Sequence, residues 1–187
     1  MVQADILVEP DFLTFERSSD VKHELIRNEI IEMSGASFKH NILCANIIFI
    51  LSASFQKEEN LIVLSNDLRV TNPLNDSYCY PDIVVTDGEP KFIDTEFDTL
   101  LNPILIAEIL SPSTEKRDQI EKFEIYKSIP TIKEYMIVAQ HKPYVKLFKK
   151  IATNHWELFE YENFIEKVSI LDNKYQISLA DIYKRVF

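Results

Sequence analysis

Residues 103–114 read Pro103-Ile104-Leu105-Ile106-Ala107-Glu108-Ile109-Leu110-Ser111-Pro112-Ser113-Thr114. From 104 to 110 only Glu108 breaks the apolar run, and apolar side chains fall at odd and even positions alike. That pattern predicts a strand buried on both faces. Ser111-Pro112 stops it, Ser113 or Thr114 supplies an N-cap, and residues 115–128 read as a helix ended by Pro130. A doubly buried strand followed at once by a helix is the unit of α/β folds.

The same reading extends in both directions. Upstream, residues 10–19 predict a short helix, and His23–Arg27 with Ile30–Met33 a hairpin turning at Asn28-Glu29, since Asn tolerates positive φ. Ser37 is a plausible N-cap for a helix running to about Gln56, with Ile42, Ala45, Ile48, Phe49, Ser52 and Ala53 at helical spacing. Strand-like runs follow at 61–65, 67–71 and 80–86. Downstream come strands at 134–139, 144–150 and 155–160, a weak run near 168–176 and a closing helix at about 179–185. The order predicts one α/β domain over 1–187, with a mixed β-sheet flanked by helices.

Composition removes whole classes of function. Of 187 residues only Gly35 and Gly88 are glycine, where average usage of about 7% would give roughly 13. G-x-G-x-x-G, G-x-x-x-x-G-K-[ST] and G-x-S-x-G are all impossible with two glycines 53 positions apart. Dinucleotide folds, phosphate-loop enzymes and nucleophile-elbow hydrolases are thereby excluded. Cys44 and Cys79 form no C-x-x-C pair and read as small buried hydrophobes. His23, His40, His141 and His155 show no zinc spacing of the H-x-x-x-H or H-E-x-x-H kind. The first ten residues lack the basic and apolar regions of a signal peptide, and no apolar run is long enough to span a bilayer; a cytoplasmic, membrane-free protein is expected. Net charge is −10, which opposes non-specific attraction to nucleic acid. Residues 110–150, however, hold nine Lys/Arg against five acids, a net of +4, leaving −14 elsewhere. A basic segment on an acidic body permits an anionic partner.

Two acids stand where apolar residues are expected. Asp82 interrupts Tyr80-Pro81-Asp82-Ile83-Val84-Val85, and Glu108 shares a strand face with Ile104, Ile106 and Leu110. An ionised carboxylate in such a place needs a cation, a metal or a dense set of hydrogen bonds. Taken singly, each is equally a strand-end residue or half of a structural salt bridge; together they favour a shared site. The helix after Glu108 offers the cation. At 100° per residue, with Asp118 at 0°, Lys122 falls at about 40°, inside the stripe of Ile125, Tyr126 and Ile129. Snorkelling, or an i,i+4 pair with Asp118, explains that placement equally well. Glu24 alternates with Leu25 and by itself reads as a surface strand acid.

In order along the chain these residues are His23-Glu24-Leu25-Ile26-Arg27-Asn28-Glu29-Ile30, Met33 through His40, Tyr80-Pro81-Asp82-Ile83-Val84-Val85, Asn102-Pro103 to Thr114, Asp118…Lys122…Tyr126 and Glu134-Tyr135-Met136-Ile137-Val138. The series resembles a restriction-endonuclease family, formerly a domain of unknown function and greatly expanded in cyanobacteria, of the PD-(D/E)XK nuclease superfamily. The likeness spans about residues 10–160, and Glu-Ile-Leu-Ser-Pro-Ser-Thr with its downstream Asp and Lys is its most specific part.

The resemblance implies a restriction-endonuclease-like core and a Mg²⁺-dependent endonuclease acting on DNA, with Mn²⁺ able to substitute. By position it assigns Asp82 and Glu108 as metal ligands, Lys122 as the catalytic lysine and Glu24 as an acid that helps at the metal or orients water. His40 matches a histidine often found at the start of the long helix. Two positions depart from the pattern: the superfamily's lysine two residues after the acid is Leu110 here, with the family's lysine supplied from the next helix, and the hairpin glycine is Asn28. Oxygen ligands on a hard cation suit phosphodiester hydrolysis. Related folds commonly dimerise, and the aromatic strands after Tyr144 (Phe148, Trp156, Leu158, Phe159) offer either core cover or a homodimer face. The contrasting expectations are a non-catalytic binding or assembly module, which the net charge favours, and a hydrolase of a small phosphorylated molecule.

Overall fold

A computed structural model describes the backbone of residues 9–110 and 117–187 and the side chains of 12–110 and 120–187. Helix α1 (Glu9–Ser18) leads into the hairpin β1 (His23–Ile26) and β2 (Glu29–Glu32), then the long helix α2 (Phe38–Ser54). Strands β3 (Leu61–Ser65), β4 (Arg69–Asn72), β5 (Ser77–Cys79), β6 (Ile83–Asp87), β7 (Thr99–Leu100) and β8 (Pro103–Leu110) follow. A π-helical turn (Arg117–Lys122) runs into the short helix α3 (Phe123–Tyr126), and the chain ends with β9 (Glu134–Ala139), β10 (Val145–Ala152), β11 (His155–Tyr161), β12 (Lys167–Ile170), β13 (Tyr175–Ser178) and α4 (Leu179–Ile182).

The central sheet has the order β11-β10-β9-β8-β6-β3, with β8 and β9 parallel and its other neighbours antiparallel. A second sheet, β2-β1-β5-β4-β7, is not hydrogen-bonded to it but packs against it through a shared apolar cluster of Ile26, Val70, Cys79 and Leu100 with Val84 and Ile106. Strands β12-β13 form a separate hairpin. As its apolar run predicts, β8 is buried at every position. Leu105, Ala107 and Ile109 pack on one face with Leu43, Ile47 and Leu51 of α2 and with Val168, Ile170 and Ile177 of the hairpin. Ile106 and Leu110 pack on the other with Ile125, Tyr126 and Ile129. Glu108 shares this second face by the period of two. Ile104, expected beside it, joins the first cluster instead.

Several expectations shift once the two sheets are seen. The apolar run 80–86 is strand only from Ile83, as β6 of the central sheet; β5, which ends at Cys79 just before it, belongs to the second sheet. Tyr80-Pro81-Asp82 is the crossing between them, where proline cannot donate to a ladder. Asp82 therefore sits at a sheet-to-sheet crossover rather than inside an apolar strand. The first hairpin turns at Arg27-Asn28, one residue earlier than expected, with both residues at positive φ (50° and 68°), as a two-residue type I′ turn demands. The run near 168–176 is a hairpin whose turn residues Leu171, Asp172 and Asn173 are all left-handed, and strand 67–71 begins two residues later than expected. The predicted caps Ser113 and Thr114, the start of the 115–128 helix and the side chain of Asp118 lie outside the described residues. The late aromatic stripe divides evenly: Phe148 and Trp156 pack on the second cluster and cover the core, while Leu158 and Phe159 are exposed. Among the described residues no helix is long and apolar enough to cross a membrane.

Candidate active site

Glu24, in the middle of β1, is 4% exposed, Glu108 3% and Lys122 5%. The four-residue strand β1 is buried throughout, which overturns the reading of Glu24 as a surface acid: the strand is covered on both faces, so the face of Glu24 is interior whichever way it points. Its burial is met by partners. Glu24 Oε1 accepts from the Tyr80 N–H at 3.0 Å and lies 2.9 Å from Lys122 Nζ. The same Nζ donates to Glu108 Oε1 at 3.0 Å, and the Tyr126 hydroxyl donates to that oxygen at 2.8 Å. Lys122 is thus on the inward stripe, and its partners are the two strand acids. Its head group is fixed by them rather than snorkelling to water.

Tyr126 is fully buried, and burial together with the charge of Glu108 pushes its phenol well above the usual range. It remains a hydroxyl donor across the working pH range. Asp82 is held separately. Its Oδ2 accepts from the Ile109 N–H at 2.7 Å, which lays the carboxylate along the backbone just after Glu108. The register agrees, since Ile83 pairs with Ala107 and the next step sets Asp82 against Glu108. The other oxygen, Oδ1, lies 3.0 Å from His40 Nε2.

His40 is placed by the cap of α2. Ser37 Oγ accepts from the His40 N–H, confirming the predicted N-cap and starting the helix so that His40 and Cys44, four residues apart, share a face. His40, Cys44 and Asp82 offer ligand atoms all within 4.8 Å of one another. Cys44 is only partly buried, unlike the core hydrophobe expected. Burial, Asp82 and Glu108 push its thiol up, so without a metal it stays protonated. Cys79 is buried as expected. The four predicted residues therefore fall into two linked sets: Glu24, Lys122 and Glu108 in direct contact, and Asp82 beside them, joined to β8 and α2.

A family model described as "Putative restriction endonuclease", Uma2, matches residues 9–180. The chain belongs to the Uma2 family. It is 36% identical over 155 residues to "Uncharacterized protein sll1609" of Synechocystis sp. (strain ATCC 27184 / PCC 6803 / Kazusa), covering 83% of this chain and 87% of that protein. It is 27% identical over 152 residues to "Uncharacterized protein slr1290" of the same organism, covering 81% and 78%. A crystal structure titled as a putative nuclease belonging to DUF820 from Anabaena variabilis ATCC 29413 superimposes with a TM-score of 0.74 at 16% identity, over 97% of this chain and 99% of that one. At that identity the likeness shows the fold, and the Uma2 chain has the restriction-endonuclease-like α/β fold expected of it.

Within this Uma2 site two participants lay beyond the sequence reading. Tyr126 was on the inward stripe but carried no role until its hydroxyl met Glu108. Cys44 was passed over as a hydrophobe, although His40-x-x-x-Cys44 is a pair at ligand spacing on a helix. The acid that completes the trio, Asp82 of the crossover, arrives from far along the chain, so spacing alone could not reveal it.

Proposed function

We propose that this Uma2 protein is a metal-dependent endonuclease that hydrolyses DNA phosphodiester bonds. The observation that carries the proposal is the buried ammonium of Lys122 between Glu24 and Glu108, with Asp82 bonded to the backbone beside Glu108. The donors suit a hard cation: Asp82 and Glu108 bring carboxylate oxygens from adjoining positions, and Mg²⁺ is commonly bound through one or two carboxylates with water completing its shell. These two residues would hold Mg²⁺ or Mn²⁺. When bound, the ion would polarise the phosphate and lower the pKa of an attacking water.

The remaining roles belong to the side chains. Lys122 offsets negative charge gathering on the phosphate and keeps a fixed position because two carboxylates hold it. Glu24 fixes that ammonium while tying β1 to the crossover through the Tyr80 N–H. Tyr126 orients Glu108, and the Ile109 N–H orients Asp82, so both acids are preset before any substrate arrives.

The test is cleavage of duplex and single-stranded DNA by purified protein with Mg²⁺ or Mn²⁺, alongside Asp82→Asn and Glu108→Gln. Cleavage abolished in either variant and by chelation is expected; equal cutting by the variants sinks the proposal. One observation favours a second reading, a binding or assembly module on the same fold. Lys122 closes an ion-pair triad that is complete as a structural unit, on a chain of net charge −10. Calorimetry separates the two, because a module shows no Mg²⁺ binding that depends on Asp82 and Glu108. The homodimer is proposed on the exposed Leu158 and Phe159 of edge strand β11, and a light-scattering mass of one chain removes it.

A further inference from the structure

We propose that His40, Cys44 and Asp82 form a second cation site, for a divalent ion of the zinc class, whose occupation takes Asp82 away from the hydrolytic centre. The binding half stands on its own observations; the inhibitory half rests on the endonuclease reading.

Three unlike donors meet here: an imidazole nitrogen, a thiol sulfur and a carboxylate oxygen. Mg²⁺ selects oxygen ligands, whereas sulfur with nitrogen selects zinc and its neighbours in the transition series. The positions suit a small tetrahedral ion. Bond lengths of about 2.0–2.3 Å to N, O and S set ligand atoms about 3.3–3.7 Å apart. All three atoms already lie within 4.8 Å of one another, and His40 Nε2 and Asp82 Oδ1 are 3.0 Å apart. An ion entering between that nitrogen and oxygen replaces their contact and asks for sub-ångström to ångström adjustments.

The frame around the donors is already built. Ser37 caps α2 at the His40 N–H, so His40 and Cys44 rise one turn apart on a regular helix. Asp82 keeps its Oδ2 on the Ile109 N–H, the kind of outer hydrogen bond that fixes a ligating carboxylate. Three protein ligands leave a fourth position for water or another oxygen donor, as in zinc sites that stay open. No other group of three such donors lies together among the described residues; the second cysteine, Cys79, is fully buried beside Glu24, Glu108 and Tyr126 and belongs to no such group.

Competition follows from geometry. Asp82 has two oxygens: one is committed to the Ile109 N–H and the other faces His40. An ion of the zinc class on Oδ1 withdraws the carboxylate from a Mg²⁺ shared with Glu108. The site is then an off-switch read by the identity of the divalent ion rather than by substrate.

Cobalt(II) titration of the full chain tests binding without recourse to activity, since a thiolate ligand gives an intense near-ultraviolet charge-transfer band. We expect one equivalent to raise that band and zinc to bleach it. Cys79→Ser keeps it, Cys44→Ser loses it, and Asp82→Asn weakens binding by at least about tenfold, the lower bound for removing even an outer-shell partner. Circular dichroism checks that each variant is folded. Should Cys44→Ser fail to fold, zinc-edge X-ray absorption of the unaltered protein decides instead, through one sulfur neighbour at about 2.3 Å. A folded protein with no charge-transfer band, a band that survives in Cys44→Ser, or a zinc shell without sulfur overturns the site. In the hydrolysis assay, zinc is expected to inhibit Mg²⁺-driven cleavage by the parent and not by Cys44→Ser; equal inhibition of both overturns the switch. Absence of any cleavage counts against the endonuclease reading and so against the switch, while the cobalt band still decides the site.

Discussion

Replacing Glu134 by Gln should stabilise this protein at pH 8 and leave it nearly unchanged at pH 4.5. Glu134 opens β9, is 3% exposed, and its Oε2 has no hydrogen-bond partner among the described residues. It faces Lys149 across the strand pair, but the Lys149 ammonium donates to Asn173 Oδ1 at 2.7 Å. Burial is the largest influence and lifts the carboxyl from 4.5 to about 7, against the opposing pull of the Leu171 and Asp172 N–H groups and of Lys149. The unfolded chain gives up this proton near 4.5 and the folded protein only near 7. Between those values the folded state binds more protons, so stability falls as pH rises. Each tenfold difference in proton affinity is worth about 1.4 kcal/mol, which sets the full penalty at about 3 kcal/mol above pH 7 and well under 1 kcal/mol at pH 4.5. Glutamine keeps the shape and an acceptor oxygen and removes the ionisation. Any cost of seating its amide is independent of pH and drops out of the comparison. Urea and thermal unfolding of parent and variant at both pH values should give E134Q an advantage about 2–3 kcal/mol larger at pH 8. For a chain of this length that is a midpoint about 4–12 °C higher. An advantage no larger at pH 8 than at pH 4.5 refutes the reasoning.

Three further outcomes follow from the site. Lys122→Met leaves two buried carboxylates without their cation and should cost about 3–5 kcal/mol in urea unfolding while abolishing cleavage; unchanged stability would mean the triad is not formed. Tyr126→Phe removes one hydrogen bond to a buried carboxylate, costs about 1.5–3 kcal/mol by the same measurement, and lowers cleavage through a less well oriented Glu108. Ser37→Ala removes the cap of α2, should cost about 0.5–2 kcal/mol, and should weaken cobalt binding, because the cap sets the first turn that carries His40.

Where burial was symmetric, the sequence was transparent. Strand β8 could be recognised because apolar side chains on both faces admit one environment, and within it Glu108 could only be an exception in need of a partner. Lys122 was legible for a related reason: its phase relative to Ile125 and Tyr126 spans α3 itself and does not depend on the π-helical turn before it, so the stripe they define survives. Glu24 was not legible. Four residues of β1 alternate in a way that fits either face, and burial comes from elements far along or before it in the chain: α1 packs on the side of Leu25, while Lys122, Tyr126 and the central sheet cover the side of Glu24 and Ile26. Asp82 was misplaced because Cys79, Ile83 and Val84 continue one apolar rhythm across a crossing between two sheets. Pro81 was the signal there. Cys44 shows the remaining limit: a helix reveals which of its own residues share a face, not which distant acid that face will meet.

The charge distribution gains a direction from the fold. On β10, Val145 and Leu147 join the cluster against α2, while Phe148 joins the cluster against α3. Strand alternation therefore sets Lys146 and Lys150 on the face that carries Glu108, and Trp156, paired with Lys150, packs on that same side. Lys149 points the opposite way, beneath the β12-β13 hairpin, and meets Asn173. The three lysines of β10 are thus divided between the two faces, two on the side of Glu108 and one on the other. One face of the central sheet is closed by α2, α4 and the hairpin and carries Glu134, whose ionisation bears on stability alone. The other carries the acids, Lys122 and the outward lysines of β10. On the endonuclease reading, a phosphate backbone would be repelled by the acidic remainder and would meet Lys150 on that second face beside Lys146, which Glu160 partly offsets, so orientation rather than overall attraction would have to guide it toward the carboxylates.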